Sequence, residues 1–231
     1  MSGDHADLKA FLSSKRLWFH YWRSPFEVLS ELNSIQKSID LSFAGFRDAF
    51  VTHREAKQLR EIWVLAKCSA LMEIPQLKLS VEDPPDGYVK RDNRVVPAEV
   101  LEVLEPGRKR GLEYGPDVPA TRMDPAKDWI RRADAIPGAL AEGISRKREK
   151  QYPLATELFV YLNIGEYGIR QEEIEQSIRS AITGSIEPLT AIHVFWKGDV
   201  FSSDGRTFRS RVVPEYLGDD ASIWASVMEE W

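Results

Sequence analysis

Asp86 and Glu99 are the residues of this sequence best placed to do chemistry. Asp86 follows Pro84-Pro85 at the head of a short strand-like run, and Glu99 lies inside the otherwise apolar stretch VVPAEVLEVL (95–104). A buried strand tolerates an ionised carboxylate only where something offsets its loss of water. Glu102 comes three positions after Glu99, so the two point to opposite faces of a strand and at most one belongs to a given site. A hairpin from 88 to about 96 would bring Asp86 alongside Glu99. Two carboxylates on neighbouring strands make an oxygen site for a divalent cation, Mg²⁺ or Mn²⁺, whose charge offsets their mutual repulsion. Plainer readings stand beside this one. Asp after Pro-Pro is a common turn former, and Glu99 and Glu102 could each lie on a wet sheet face.

Other chemistries find less support. His5, His20, His53 and His193 are dispersed, with no metal-ligand spacing to another His or Cys, which argues against zinc. His193, inside AIHVFW, reads as a core histidine. The single cysteine, Cys68, sits among Ala66 and Ala70 as a small buried hydrophobe, and it cannot close an intramolecular disulfide. No phosphate-binding lysine loop, GxGxxG or GxSxG turn occurs. Tyr152 and Trp129 could stack on bases, although core or rim packing is the simpler role.

The elements that must position the two acids follow from periodicity. Residues 6–22 place Leu8, Leu12 and Phe19 on one helical stripe. Ser24-Pro25-Phe26-Glu27 starts a second helix, with Ser as N-cap, Pro at the first helical position and Glu three after the cap; it is expected to reach about Asn33. A longer helix over about 45–72 carries Leu59, Ile62, Ala66 and Ala70. QLKLSV (76–81) alternates with period two, as a half-buried strand does. Tyr88-Val89, the polar tip 91–94 and the strand 95–104 complete a meander. Helical sequence resumes near Pro125, is expected to pause at Ile136-Pro137-Gly138, and runs on to Lys150. ELFVYLNI (157–164) and AIHVFW (191–196) read as strands buried on both faces, separated by a helix over 171–182. This order predicts an α/β fold, a mixed central sheet with helices on both faces. Residues 1–44 form an N-terminal helical extension, 45–200 the core, and 201–231 a C-terminal hairpin and tail packed on it.

The pattern Pro85-Asp86, a hairpin, then Glu99-Val100-Leu101 resembles the PD-(D/E)XK, or restriction-endonuclease-like, superfamily. The Glu-Pro-Gly-Arg-Lys-Arg-Gly-Leu-Glu-Tyr loop (105–114) is similar to loops of uncharacterised bacterial proteins grouped as endonucleases. The likeness spans roughly 50–196 in order of elements. It implies a nuclease hydrolysing phosphodiester bonds, most naturally in DNA, with Mg²⁺ held by Asp86, Glu99 and the Val100 carbonyl. Members often add a Glu from the first core helix. Glu55 shares a stripe with Leu59, Ile62 and Ala66 and matches that role, whereas Glu61 lies off that stripe. The family's Lys two positions after the Glu is replaced here by Leu101. Lys147, on one stripe with Leu140, Ile144 and Gln151, is the expected substitute; Lys150 and Arg146 point elsewhere. The departure at Leu101 also leaves open a degenerate fold that binds nucleic acid or protein without cleaving.

Composition bounds these readings. The 231 residues, 43% of them hydrophobic, suffice for one sizeable core. A net charge of −5 excludes a generally basic surface, yet it allows local basic walls at Arg108, Lys109 and Arg110, at ISRKREK (144–150) and at Arg131-Arg132. The Arg108–Arg110 cluster would hold a nucleic-acid backbone without reading sequence. The opening MSGDHADLKAF has neither a basic nor an apolar leader region, and the lone cysteine fits a reducing compartment, so a cytoplasmic location is expected. The aromatic segment LWFHYW (17–22) marks a candidate homodimer face.

Overall fold

The computed structural model describes residues 2–42, 56–107, 126–164 and 170–211. The first helix, α1 (Ser2–Arg16), leads through a 3-10 turn (Leu17–His20) to α2 (Pro25–Ser42). Ser24 and Glu27 cap α2 reciprocally. The Ser24 N–H donates to Glu27 Oε2 at 2.8 Å, and the Glu27 N–H donates to Ser24 Oγ at 3.3 Å. The helix runs nine residues past Asn33, because Ile35 and Ile39 continue its buried stripe beyond the polar Asn33-Ser34.

Next come α3 (Lys57–Leu71) and the meander β1 (Gln76–Leu79), β2 (Gly87–Arg91) and β3 (Arg94–Leu104). Asp92 and Asn93 both adopt positive φ, 48° and 62°, in the two-residue turn that joins β2 to β3. Then follow α4 (Ala126–Arg148), β4 (Glu157–Asn163), α5 (Gln171–Ile182), β5 (Ala191–Trp196), β6 (Asp199–Ser203) and β7 (Phe208–Arg211). The expected pause in α4 is absent. Pro137 lies within a continuous helix, held by Ala133, Ile136, Leu140 and Ile144, which bury one stripe on both sides of the proline.

The strands form one seven-stranded sheet in chain order, β1 to β7. The pairs β3–β4 and β4–β5 are parallel, crossed by helices, and the other pairs are antiparallel. This is a mixed α/β fold with a central sheet flanked by helices. One face, with Val89, Ala98, Val100, Phe159 and Phe195, packs against α1, α2 and α3. The other, with Val103, Leu158, Val160, Ile192 and Val194, packs against α4 and α5. The N-terminal helices share the core of the first face and are tied to the sheet edge, where Arg23 and Leu77 exchange backbone hydrogen bonds of 3.0 and 2.9 Å.

Within LWFHYW, Phe19 is buried, the Arg23 guanidinium lies 4.5 Å from the Trp18 ring centroid, and Lys78 lies over Trp22. The surface expected to meet a second copy is thereby reduced to Leu17, Tyr21 and, on α2, Phe26. Among the described residues no helix is long and apolar enough to cross a membrane.

Gly87 sets how closely α3 approaches the sheet. A Cβ at this position would lie 2.7 Å from the Lys78 carbonyl oxygen and 2.8 Å from Leu65 Cδ1. Neither the β1 backbone nor the buried Leu65 can yield without moving the helix. Gly87→Ala is therefore expected to destabilise the fold by about 1–3 kcal/mol, the usual cost of overpacking. A lowered midpoint in urea denaturation at unchanged slope checks it.

Candidate active site

The β2–β3 ladder pairs Arg91 with Arg94, Val89 with Val96 and Gly87 with Ala98. Continued by two residues, the same register would set Pro85 opposite Val100 in a hydrogen-bonded pair. Proline has no N–H to give, and β2 leaves β3 at this point. The Asp86 carboxylate fills the vacancy: its Oδ2 accepts the Val100 N–H at 2.8 Å. On its other side the Asp86 carbonyl still accepts the Ser80 N–H at 3.0 Å, which keeps the residue anchored to β1. In an extended strand one residue's N–H and C=O leave by the same edge. The Val100 carbonyl therefore faces the gap that Asp86 enters.

Glu99 is opposite Asp86 in this register, and the alternation of β3 turns it to the α4 face. Lys147, near the end of α4, meets both acids. Its Nζ lies 2.5 Å from Glu99 Oε1 and 4.0 Å from Asp86 Oδ2, and all three side chains are largely buried. Glu99 Oε2 is buried without a hydrogen-bond partner. Burial first, and then the Asp86 charge, push the Glu99 carboxyl above its ordinary range, against the pull of Lys147 and Lys150. Lys150 therefore acts on the site through its charge; α4 ends at Arg148, so the helical stripe that pointed Lys150 elsewhere does not extend to it. Tyr152, whose hydroxyl is also buried without a partner, lies within the field of Glu99 and Asp86.

A third acid enters from the opposite face. Glu61, on α3, is raised to about 7 by burial and by Asp86, and is lowered in part by Lys57, at 2.9 Å, and by Lys147. Glu61 lies off the stripe through Leu59, Ile62 and Ala66, but the buried face of α3 is broader than that stripe. It includes Leu65 and Cys68, four and seven positions after Glu61, and that spacing is the signal in the sequence that points to this acid. The close approach of Leu65 to Gly87 brings this turn of α3 toward the start of β2, near enough for the Asp86 charge to act on Glu61.

Glu55, Arg108, Lys109 and Arg110 lie outside the described residues. Glu102 takes the opposite face from Glu99 and accepts the Asn163 side-chain N–H at 2.9 Å. Arg131 and Arg132 both pair with Glu105, and the Arg131 side chain stays more than half exposed.

Among the described residues no group of three or more His, Cys, Asp or Glu side chains is arranged to hold a metal ion. The Lys147 ammonium is the cation that Asp86 and Glu99 share. The donor chemistry nevertheless suits a hard divalent ion, with two carboxylates, an unpartnered carboxylate oxygen and a main-chain carbonyl facing one gap. Compared with protein-family models, curated proteins and solved structures, the chain matches none of them.

The raised Glu61 carboxyl has a consequence for stability. Its folded value of about 7 exceeds the ordinary 4.5, so the folded protein binds the extra proton between these values. The associated stability is complete below pH 4.5 and is lost as pH rises through 7. Glu61→Gln should remove this dependence, so the variant's melting temperature relative to the parent should be higher at pH 8 than at pH 4.5. An equal difference at both pH values would contradict the assignment.

Proposed function

We propose that this chain is a metal-dependent nuclease that hydrolyses phosphodiester bonds, with DNA as its substrate and Mg²⁺ or Mn²⁺ as its cofactor. The observation that carries the reading is the convergence of Asp86, Glu99 and Lys147 where β2 parts from β3. The element order supports it too: a helix, three antiparallel strands, a helix and a parallel strand follow the order implied by the restriction-endonuclease-like resemblance. So does the cation from α4, which takes the place left by Leu101.

In this mechanism Asp86, Glu99, the Val100 carbonyl and Glu55 would hold the divalent ion. The bound ion would supply Lewis acidity, lowering the pKa of the attacking water and offsetting charge on the phosphoryl oxygens. Asp86 is kept in line by the Val100 N–H. Glu61, poised near neutrality, can accept a proton from water. Lys147 orients that water or pairs with the phosphate. Arg108, Lys109 and Arg110 grip the backbone of the nucleic acid.

A second reading, a degenerate fold that binds nucleic acid without cutting it, is favoured by one observation. Lys147 already neutralises Glu99 at 2.5 Å and could stand permanently in place of a metal.

Incubation of the full chain with supercoiled plasmid and Mg²⁺ or Mn²⁺ separates the two. The nuclease reading expects metal-dependent nicking that Asp86→Ala and Glu99→Ala abolish and that Lys147→Ala slows by about 100-fold or more. Cleavage that survives both acid substitutions would reject this site. DNA retardation without cleavage would favour the binding module. In either case, replacing Arg108, Lys109 and Arg110 by Ala should flatten the salt dependence of binding, by about 0.9 in log–log slope for each phosphate no longer neutralised.

A further inference from the structure

A second polar cluster lies on the sheet face that packs against α3. That helix ends at Leu71, and Met72 and Glu73, which follow it, line one side of a cavity over the central strands. There the sheet carries a row of polar side chains at face-matched positions: Arg91 on β2, Glu157 on β4, His193 on β5, Ser202 on β6 and Arg209 on β7. His193 and Ser202 are direct cross-strand partners, as are Ser202 and Arg209. A cavity of about 470 Å³ opens over the row, lined by Arg91, His193, Ser202 and Arg209, with Met72 and Thr207 at its sides. Such a volume accommodates a small organic molecule.

The hydrogen bonds of the row have a direction. Arg91 pairs with Glu157: its Nη1 donates to Oε1 at 3.4 Å, and its Nη2, which makes no hydrogen bond, lies 3.4 Å from Oε2 as an ion-pair contact, so an ionised, acceptor-only carboxylate suits the position. Burial raises its carboxyl, but the hydrogen bond from His193 and the neighbouring Arg91 charge hold it below the ordinary range. His193 Nε2, 3.0 Å from Glu157 Oε2, must then carry the proton and donate it. In the neutral ring the other nitrogen is an acceptor. Nδ1 lies 2.8 Å from Ser202 Oγ, so the Ser202 hydroxyl donates to His193. A buried histidine satisfied on both sides needs no such outlet. Here, however, the serine is half-exposed and opens on the cavity, while the base and the acid behind it are buried. A nucleophile hydrogen-bonded to a base that is itself oriented by a third group is the arrangement that activates serine.

We propose that Ser202, His193 and Glu157 form a nucleophile–base–acid relay that hydrolyses small esters bearing a carboxylate, with Arg209 pairing to that charge. Ser202 Oγ attacks the ester carbonyl carbon as its proton passes to His193 Nδ1, and Glu157 stabilises the imidazolium through Nε2–H. The ester C–O bond breaks, and the leaving oxygen takes the proton from His193 and departs as the alcohol. Water then attacks the acyl-serine and gives a proton to His193. The acyl C–O bond breaks, the carboxylic acid departs, and that proton returns to Ser202. No oxidant or further reactant is required. The relay shares no residue with Asp86, Glu99, Glu61 or Lys147, so it stands independently of the nuclease reading.

The test uses the full chain, a fluorophosphonate probe, and two chromogenic esters, anionic p-nitrophenyl hemisuccinate and neutral p-nitrophenyl acetate. Peptide mass spectrometry is expected to place the probe on Ser202, and stoichiometric labelling should abolish hydrolysis of the hemisuccinate ester. Ser202→Ala should lose both label and turnover, and His193→Gln should lower turnover by about 100-fold or more. Arg209→Ala should raise KM for the hemisuccinate ester and leave the acetate unchanged. Labelling is read on the unsubstituted protein without added divalent metal, which keeps the outcome separate from the plasmid assay. Because labelling and inhibition are read on the unsubstituted protein, a misfolded variant cannot obscure the result. Failure to label Ser202, or undiminished hydrolysis by Ser202→Ala, overturns the proposal.

Discussion

Pro85 occupies the ladder position at which β3 would next require an N–H, and its inability to supply one governs the geometry of the candidate site. Because β2 must leave β3 there, a main-chain carbonyl and a carboxylate come to share a gap inside a sheet that is otherwise hydrogen-bonded throughout its centre. A strand that stayed paired would have consumed the Val100 N–H and carbonyl in the ladder and turned Asp86 into an ordinary cross-strand residue. The break is local, since β1 still holds the Asp86 carbonyl and β4 still holds β3 over Ala98–Leu104. The gap is therefore rigid on both sides, and side chains aimed into it from either face are held where they meet.

Electrostatics decides what can occupy that gap. Burial first, and then the Asp86 charge, push up the Glu61 carboxyl on one face and the Glu99 carboxyl on the other. Lys147 relieves part of this, and Lys57 and Lys150 contribute from the periphery. Removing Lys147 costs about 3–5 kcal/mol, because the buried carboxylates lose their compensation. The cluster is held with one carboxylate oxygen unpartnered and one carboxyl raised to about 7.

The opposite face of the sheet, one strand over, answers the same problem differently. Glu157 is buried, as Glu99 is, but it is enclosed by Arg91 and His193 and its carboxyl is held down, not up. One sheet thus carries two buried carboxylate centres with contrary acid strengths. The difference follows from their neighbours: other acids in the first case, a guanidinium and an imidazole in the second.

Much of this architecture is written in local pattern. Period-two alternation in QLKLSV, the apolar runs 157–164 and 191–196, the Ser24–Glu27 cap and the Asp92-Asn93 turn each depend on residues near one another in the chain, and the corresponding elements form. The meeting of Asp86 and Glu99 follows from hairpin register, and the inward turn of Lys147 follows from the stripe it shares with Leu140 and Ile144. What local pattern could not supply was every feature fixed by packing between distant segments. Glu61 enters because the buried face of α3 is wider than one stripe and because Gly87 lets that helix close on β2. Pro137 stays helical because the sheet holds both halves of α4. The Glu157–His193–Ser202 series joins three strands whose order only the assembled sheet determines. Sequence alone sets the periodicity and register that aim a side chain; which groups it then meets depends on the helices that close over each face, and no window of the chain contains both partners.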